Sequence, residues 1–271
     1  MSDISFDSIQ FYKSYPRKMI SRPGHPARAA FKSALMFGLY GRRIYSEIKE
    51  IATYADIGGC FGFGANSMAF HISATQGTTP KTVVFEIATE FVEIGKLLFP
   101  QIEFVEEMFS QGCRDVGVFD LVSMFDVVEH IVDPGSFLKQ VAARSMYVML
   151  KTPMQTSGDW RHKKLPLKQG AEHVDGHVNF FSPRTYERLL EASNLDIIES
   201  RLVPTIVPSG AWMALCPEIP KPTVSLKDLA RPKHLLGWAI RGLPGIPWHL
   251  KRKLFGHDEH LCLCRSQLLD R

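Results

Sequence analysis

The feature that most constrains this chain is a change of pattern at Ala52, where short apolar runs begin to alternate with helical segments. The runs lie at 53–57, 82–87, 102–105, 119–125 and 146–150, and helices are expected at 65–75, 89–98 and 135–144. Short strands that are apolar throughout and separated by helices imply βαβ units and a parallel sheet covered on both faces. Ser182-Pro183 then supplies an N-cap and first-turn pair for a helix through residue 193. Strand-like residues 196–203 follow, and 260–265 read as a final strand. Between those two strands, 204–258 form a proline-rich, basic and apolar insertion. Residues 1–50 read as a mildly basic helical extension, interrupted at Pro23-Gly24-His25-Pro26, with 41–51 expected to be helical. The division is therefore an N-terminal extension, 1–50, and one α/β domain, 51–271, carrying the insertion as a cap or membrane-facing element.

Composition narrows the class without naming a partner. A hydrophobic content of 45% with 22% charged residues fits a folded protein, and a net charge of +4 is too small to argue for nucleic acid. Cys60, Cys113, Cys216, Cys262 and Cys264 are odd in number and form no zinc-type pair, which favours a reducing cytoplasm over a disulfide framework. No signal pattern or apolar stretch of bilayer length is present, so the expectation is a cytoplasmic protein, at most peripheral at the inner face of a membrane.

The first run enters Asp56-Ile57-Gly58-Gly59-Cys60-Phe61-Gly62-Phe63-Gly64. Glycines there permit positive φ and let backbone approach a ligand closely. Asp56 selects the ligand's charge: it repels a pyrophosphate and attracts an ammonium or sulfonium. Glu86 ends the second run, where nucleotide-binding α/β folds place the carboxylate for ribose hydroxyls.

With Phe119-Asp120-Leu121-Val122, Asp126-Val127-Val128-Glu129-His130-Ile131-Val132-Asp133-Pro134 and Gly176-His177-Val178-Asn179-Phe180-Phe181-Ser182-Pro183, these pieces resemble the class I S-adenosylmethionine-dependent methyltransferases. The resemblance implies a Rossmann-like, seven-stranded, mostly parallel sheet with helices on both faces and one antiparallel strand. It also implies S-adenosyl-L-methionine as cofactor, held by Asp56, Gly58, Gly59, Gly62, Glu86, Phe125 and Asp126, with Glu106 or Glu107 toward adenine. Cys60 stands where the family's middle glycine normally lies.

Asp126, Glu129, His130 and His177 also resemble the ligand set of two metal-assisted O-methyltransferase groups, those of ubiquinone biosynthesis and of small-RNA 2′-O-methylation. Carboxylates with imidazoles suit Mg²⁺ or Mn²⁺. Without a metal, Glu129 and His130 order a loop while Asp133-Pro134 start the next helix, or His130, His177 and Glu129 act in proton transfer. His173 is a spare candidate.

Residues 221–256 mix basic side chains with Trp238, Trp248 and several leucines, which fits either a solvated helical cap or a peripheral membrane face. The expected reaction is O-methylation of a small molecule, a saccharide or a lipid-linked acceptor. An RNA 2′-O-methyltransferase, an NAD(P)-dependent oxidoreductase and a non-catalytic cofactor-binding protein are the rivals. Nucleic acid ranks low, because no recognisable RNA-binding module accompanies the motifs.

Overall fold

The computed structural model describes residues 25–112, 117–154, 177–204 and 258–269. In chain order the elements are α1 (His25–Tyr45), β1 (Thr53–Ile57), α2 (Phe63–Gln76), β2 (Lys81–Phe85), α3 (Thr89–Leu98), β3 (Glu103–Val105) and the single turn α4 (Phe109–Gly112). Then come β4 (Phe119–Phe125), a 3-10 turn (Val128–His130), α5 (Pro134–Ala142), β5 (Ser145–Met154), α6 (Pro183–Glu191), β6 (Leu195–Pro204) and β7 (Asp258–Ser266).

The strands form one seven-stranded sheet in the order β3-β2-β1-β4-β5-β7-β6. The pairs β1–β2, β2–β3, β1–β4 and β4–β5 are parallel. Strand β7 runs antiparallel to both β5 and β6. The seven-stranded, mostly parallel architecture expected from the sequence is therefore the one observed.

Alternation along each strand divides the core in two. Ala55, Ile57, Val83, Phe85, Val122, Met124, Val148 and Leu150 pack with Phe137, Leu138 and Val141 of α5 and with Tyr186 and Leu190 of α6. On the opposite face Tyr54, Val84, Leu121, Tyr147, Met149, Leu261 and Leu263 pack with Met36, Tyr40 and Ile44 of α1 and Met68 and Ile72 of α2. The central strands β1, β2, β4 and β5 are buried on both sides, which is why their sequence shows continuous apolar runs and not a period of two.

Helix α1 lies earlier than the 41–51 helix expected from sequence. It begins inside the proline-containing segment that reads as an interruption. A proline in the first helical turn has no N–H to lose and a φ already suited to the helix, so Pro26 initiates where an interior proline would break. Tyr40 fixes α1 to the sheet by donating a hydrogen bond from its hydroxyl to the Leu261 carbonyl, 3.0 Å away. Most strand and helix boundaries otherwise move by only a few residues. The largest extension is β5, where Lys151, Thr152, Pro153 and Met154 continue the strand because β7 pairs with them as far as Asp258.

Ser182 caps α6 through a capping box with Thr185, and Asp133 caps α5 by accepting from the Ser136 backbone N–H at 3.0 Å. No helix among the described residues is long and apolar enough to cross a membrane. The lid candidate with Trp160 and His173, and nearly all of the 204–258 insertion, including 221–256, lie outside the described residues.

Because Ile44 is fully buried, Ile44→Ala should lower unfolding free energy by about 2–5 kcal/mol in urea titration. Leu97→Ala, at a side chain 83% exposed, should change it by only about 0.5 kcal/mol or less.

Candidate active site

Crossovers diverge on the two sides of the β1–β4 pair, so a crevice opens beyond the carboxyl ends of these strands. The turn after β1 and the loop after β4 form its two sides. In the turn, Gly58, Cys60 and Gly62 all have positive φ, at 70°, 49° and 83°. Cys60 thus occupies a left-handed position that a glycine would fill without strain. A Cβ at Gly58 would come within 2.8 Å of Val127 Cγ2, and one at Gly59 within 2.8 Å of Asp56 Oδ2. The turn consequently lies directly against both the end of β1 and the β4 loop.

Glu86 clamps this turn from the end of β2. Its Oε2 accepts from the Cys60 N–H at 3.1 Å, and its Oε1 accepts from the N–H groups of Ile87 and Ala88 at 2.8 and 3.0 Å. Burial pushes the carboxyl above its ordinary range, opposed by these backbone donors. Asp56 is also buried, and Oδ1 accepts from Ser123 Oγ at 2.6 Å; Tyr54 donates in turn to Ser123 at 2.6 Å. Burial raises Asp56 to about 7, with the Ser123 hydrogen bond opposing and the nearby Glu86 charge adding.

Asp126 follows β4 with φ 60°. Its two carboxylate oxygens are divided between Lys32 of α1, which donates to Oδ2, and Lys151 of β5, which donates to Oδ1 at 2.6 Å. Lys151 also pairs with Glu259 of β7 at 2.8 Å. Burial acts to raise Asp126, but the two ammonium groups outweigh it and hold the carboxylate well below its usual range. Phe125, the preceding residue, is half-buried at the end of β4.

The next turn carries a second group. Val178 and Asn179 donate backbone hydrogen bonds to the Glu129 carbonyl at 2.9 and 3.0 Å, and Asn179 Nδ2 reaches the Ile131 carbonyl at 2.5 Å. These bonds strap the segment after β5 onto the 3-10 turn and bring His177 edge-to-face against His130, with ring centroids 4.8 Å apart. Ligand atoms of Glu129, His130 and His177 all lie within 4.8 Å of one another. Glu129 is 1% exposed, and neither carboxylate oxygen has a hydrogen-bond partner among the described residues. His130 Nε2 stands 3.8 Å from Glu129 Oε1, close enough for charge attraction and too far for a hydrogen bond. Burial first, then the Asp126 charge, push Glu129 well above the usual carboxyl range.

Of the four residues expected to act together, three converge and Asp126 does not. Its oxygens are engaged by Lys32 and Lys151 instead. Glu106, expected near adenine, is exposed at the end of β3 and accepts from Thr89, while Glu107 is exposed beside it. Sequence reasoning missed Lys32, Lys151 and Ser123. Lys151 had a signal, being the charge that directly follows the apolar run 146–150; Lys32 had none, since it belongs to no motif.

A family model described as a methyltransferase domain matches residues 54–200, more than half of the chain. No curated protein matches at the sequence level. Among solved structures, a protein described as a methyltransferase from Bacillus halodurans is 14% identical, with 83% of this chain and 97% of that one covered at a TM-score of 0.51. A chain from the complex of the Haloferax volcanii Trm112 methyltransferase activator with its methyltransferase is 13% identical, with 98% of each chain covered and a TM-score of 0.51. The cyclase SpnF is 10% identical, covering 86% of this chain and 80% of its own, at 0.53. At such identities these likenesses speak for the fold alone, and a cyclase among them shows that the fold does not by itself name a reaction.

Two measurements check the turn. The folded protein holds the Asp56 proton to about pH 7, whereas the ordinary value is 3.8. The stability this contributes is complete below the lower value and is lost as pH rises through the upper one. Asp56→Asn, which stays neutral and can still accept from Ser123, should therefore melt above the wild type at pH 8, with the gap closing toward pH 5. At position 60, Cys60→Val should cost about 1–3 kcal/mol because a β-branched side chain resists positive φ, while Cys60→Gly should not destabilise.

The matched family model, the 3-2-1-4-5-7-6 sheet and the turn gathered by Glu86 agree: the chain belongs to the methyltransferase-domain family and is a class I S-adenosylmethionine-dependent methyltransferase.

Proposed function

We propose that this enzyme methylates an oxygen atom of a small molecule, a saccharide or a lipid-linked acceptor. The observation that carries the reading is the buried Glu129 carboxylate, without a hydrogen-bond partner among the described residues, beside His130 and His177. Methyl transfer from a sulfonium is an in-line displacement, and alignment of donor and acceptor supplies much of the acceleration. A hydroxyl acceptor must also lose a proton, which an amine or thiolate acceptor need not do in the same way. His130 or His177 takes that proton at a ring nitrogen, and Glu129 stabilises the imidazolium that forms. The carboxylate has no other partner among the described residues, so a cation arriving beside it relieves the cost of its burial.

The methionyl and ribose parts of the cofactor fit the opposite side of the crevice, with Asp56, Gly58, Gly59, Gly62, Glu86, Phe125 and Asp126 as its contacts. The Glu86 carboxylate already receives three backbone N–H groups, so ribose hydroxyls would donate to its remaining lone pairs.

A divalent ion at the same group is a second reading, supported by the convergence of one carboxylate and two imidazoles within ligand reach. Such a donor set suits Mn²⁺ better than Mg²⁺, which favours oxygen ligands. Glu129, His130 and His177 would hold the ion, and it would supply a positive charge that lowers the acceptor's pKa. The insertion at 204–258 precedes β7 in sequence, so an acceptor-side role, including peripheral membrane contact through 221–256, belongs to the same proposal.

The test uses labelled S-adenosylmethionine with phenolic, saccharide and polyprenyl-linked saccharide acceptors. Expected is a methyl ether located by NMR. In His130→Ala, His177→Ala and Glu129→Gln, kcat should fall by about 10²- to 10⁴-fold while S-adenosylhomocysteine affinity is kept. Methyl found only on nitrogen or carbon overturns the oxygen assignment. Mn²⁺ binding to the wild type by electron paramagnetic resonance, lost in His177→Ala, would favour the metal reading.

A further inference from the structure

Lys32 bridges two parts of the molecule that no sequence motif connects. It sits in the second turn of α1, and its ammonium donates to Asp126 beyond β4, 94 positions away in the chain. The early turns of α1 lie on the cofactor turn itself. A Cβ at Gly64 would stand 3.3 Å from Ser33 Oγ, 3.4 Å from Asp56 Oδ2 and 3.7 Å from the Ala29 carbonyl, and Ser67 donates to the Ala30 carbonyl at 3.0 Å. Ser33 is fully buried, and its hydroxyl has no hydrogen-bond partner among the described residues. Thus α1 brings one cation to Asp126 and packs one buried, unsatisfied hydroxyl beside Gly64.

The two lysines on Asp126 are not equivalent. Lys151 is 6% exposed at its side chain and shared with Glu259, so it is fixed within the sheet. Lys32 is 31% exposed, reaches in from a helix and pairs with nothing but Asp126 among the ion pairs of the described residues. Its positive charge also opposes the rise that burial imposes on the Asp56 and Glu129 carboxyls.

We propose that Lys32 is the binding residue for the α-carboxylate of the cofactor's methionyl group. The inference rests on placing that group between the β1 turn and Asp126. The amino-acid end of the cofactor is a zwitterion carrying one ammonium and one carboxylate. The Lys32–Asp126 pair presents the complementary charges, closed on each other. Insertion of the zwitterion exchanges one ion pair for two, ammonium on Asp126 and carboxylate on Lys32, with no net charge left in the crevice. Lys151 remains on Asp126 throughout and keeps the carboxylate ionised. The N-terminal helix is by this assignment part of the cofactor site, and the protein selects donors that retain a carboxylate.

Calorimetry with two ligands tests this: S-adenosylhomocysteine and its decarboxylated analogue, which keeps the ammonium and lacks the carboxylate. Lys32→Ala should weaken S-adenosylhomocysteine about tenfold or more, the size expected for a charge-assisted hydrogen bond. The analogue should bind the variant at least as well as the wild type, since Asp126 is freed. Lys32→Arg should recover most of the loss, and a melting curve for each variant confirms the fold. Equal losses for both ligands, or none for either, overturn the role of Lys32 while leaving the cofactor assignment standing. Wild-type protein that binds neither ligand overturns both.

Discussion

A parallel sheet covered on both faces can admit a ligand only at the ends of its strands, and here that restriction selects one place. Strands β1 and β4 are neighbours whose onward connections leave in opposite directions. The polar groups that cannot enter the two apolar layers therefore collect at this edge: Asp56, Glu86, Asp126, Glu129 and Lys151. Each must be satisfied in a region that excludes most water. Glu86 achieves this with backbone donors, Asp56 with Ser123, and Asp126 with two ammonium groups. Glu129 alone of these carboxylates has no such partner among the described residues.

Much of the architecture was legible because it rests on local patterns. Apolar runs bounded by turn residues marked the strands, and Ser182-Pro183 and Asp133-Pro134 marked helix starts through hydrogen bonds spanning three residues. The single reversed strand, β7, followed from family resemblance, not from pattern. What could not be read was whatever depends on a partner distant in sequence. Lys32 looks like any solvated helical lysine until α1 is packed against the sheet. Asp126 seemed free to join Glu129 because nothing in its neighbourhood announces that two lysines will claim it. The start of α1 was misjudged for a different reason: a proline reads as a breaker or as a first-turn residue only once the helix's direction is known.

Cys60 shows how a side chain can occupy a position suited to glycine. Its backbone is left-handed, and the N–H it presents is one that Glu86 accepts. The energetic penalty of that conformation is about 1–2 kcal/mol, comparable to one or two net hydrogen bonds, so clamping by Glu86 is of the right size to offset it.

The order of strands also bears on how the chain acquires its shape during synthesis. Strand β7 lies between β5 and β6, so β6 has no partner in the sheet until residues 258–266 have left the ribosome. Until then β5 also exposes an unpaired edge along residues 147–154. The growing chain thus carries two open strand edges with apolar faces, the arrangement most prone to misassembly. Glu259 belongs to this last-made strand, so the carboxylate that shares Lys151 with Asp126 is synthesised after all the other strands.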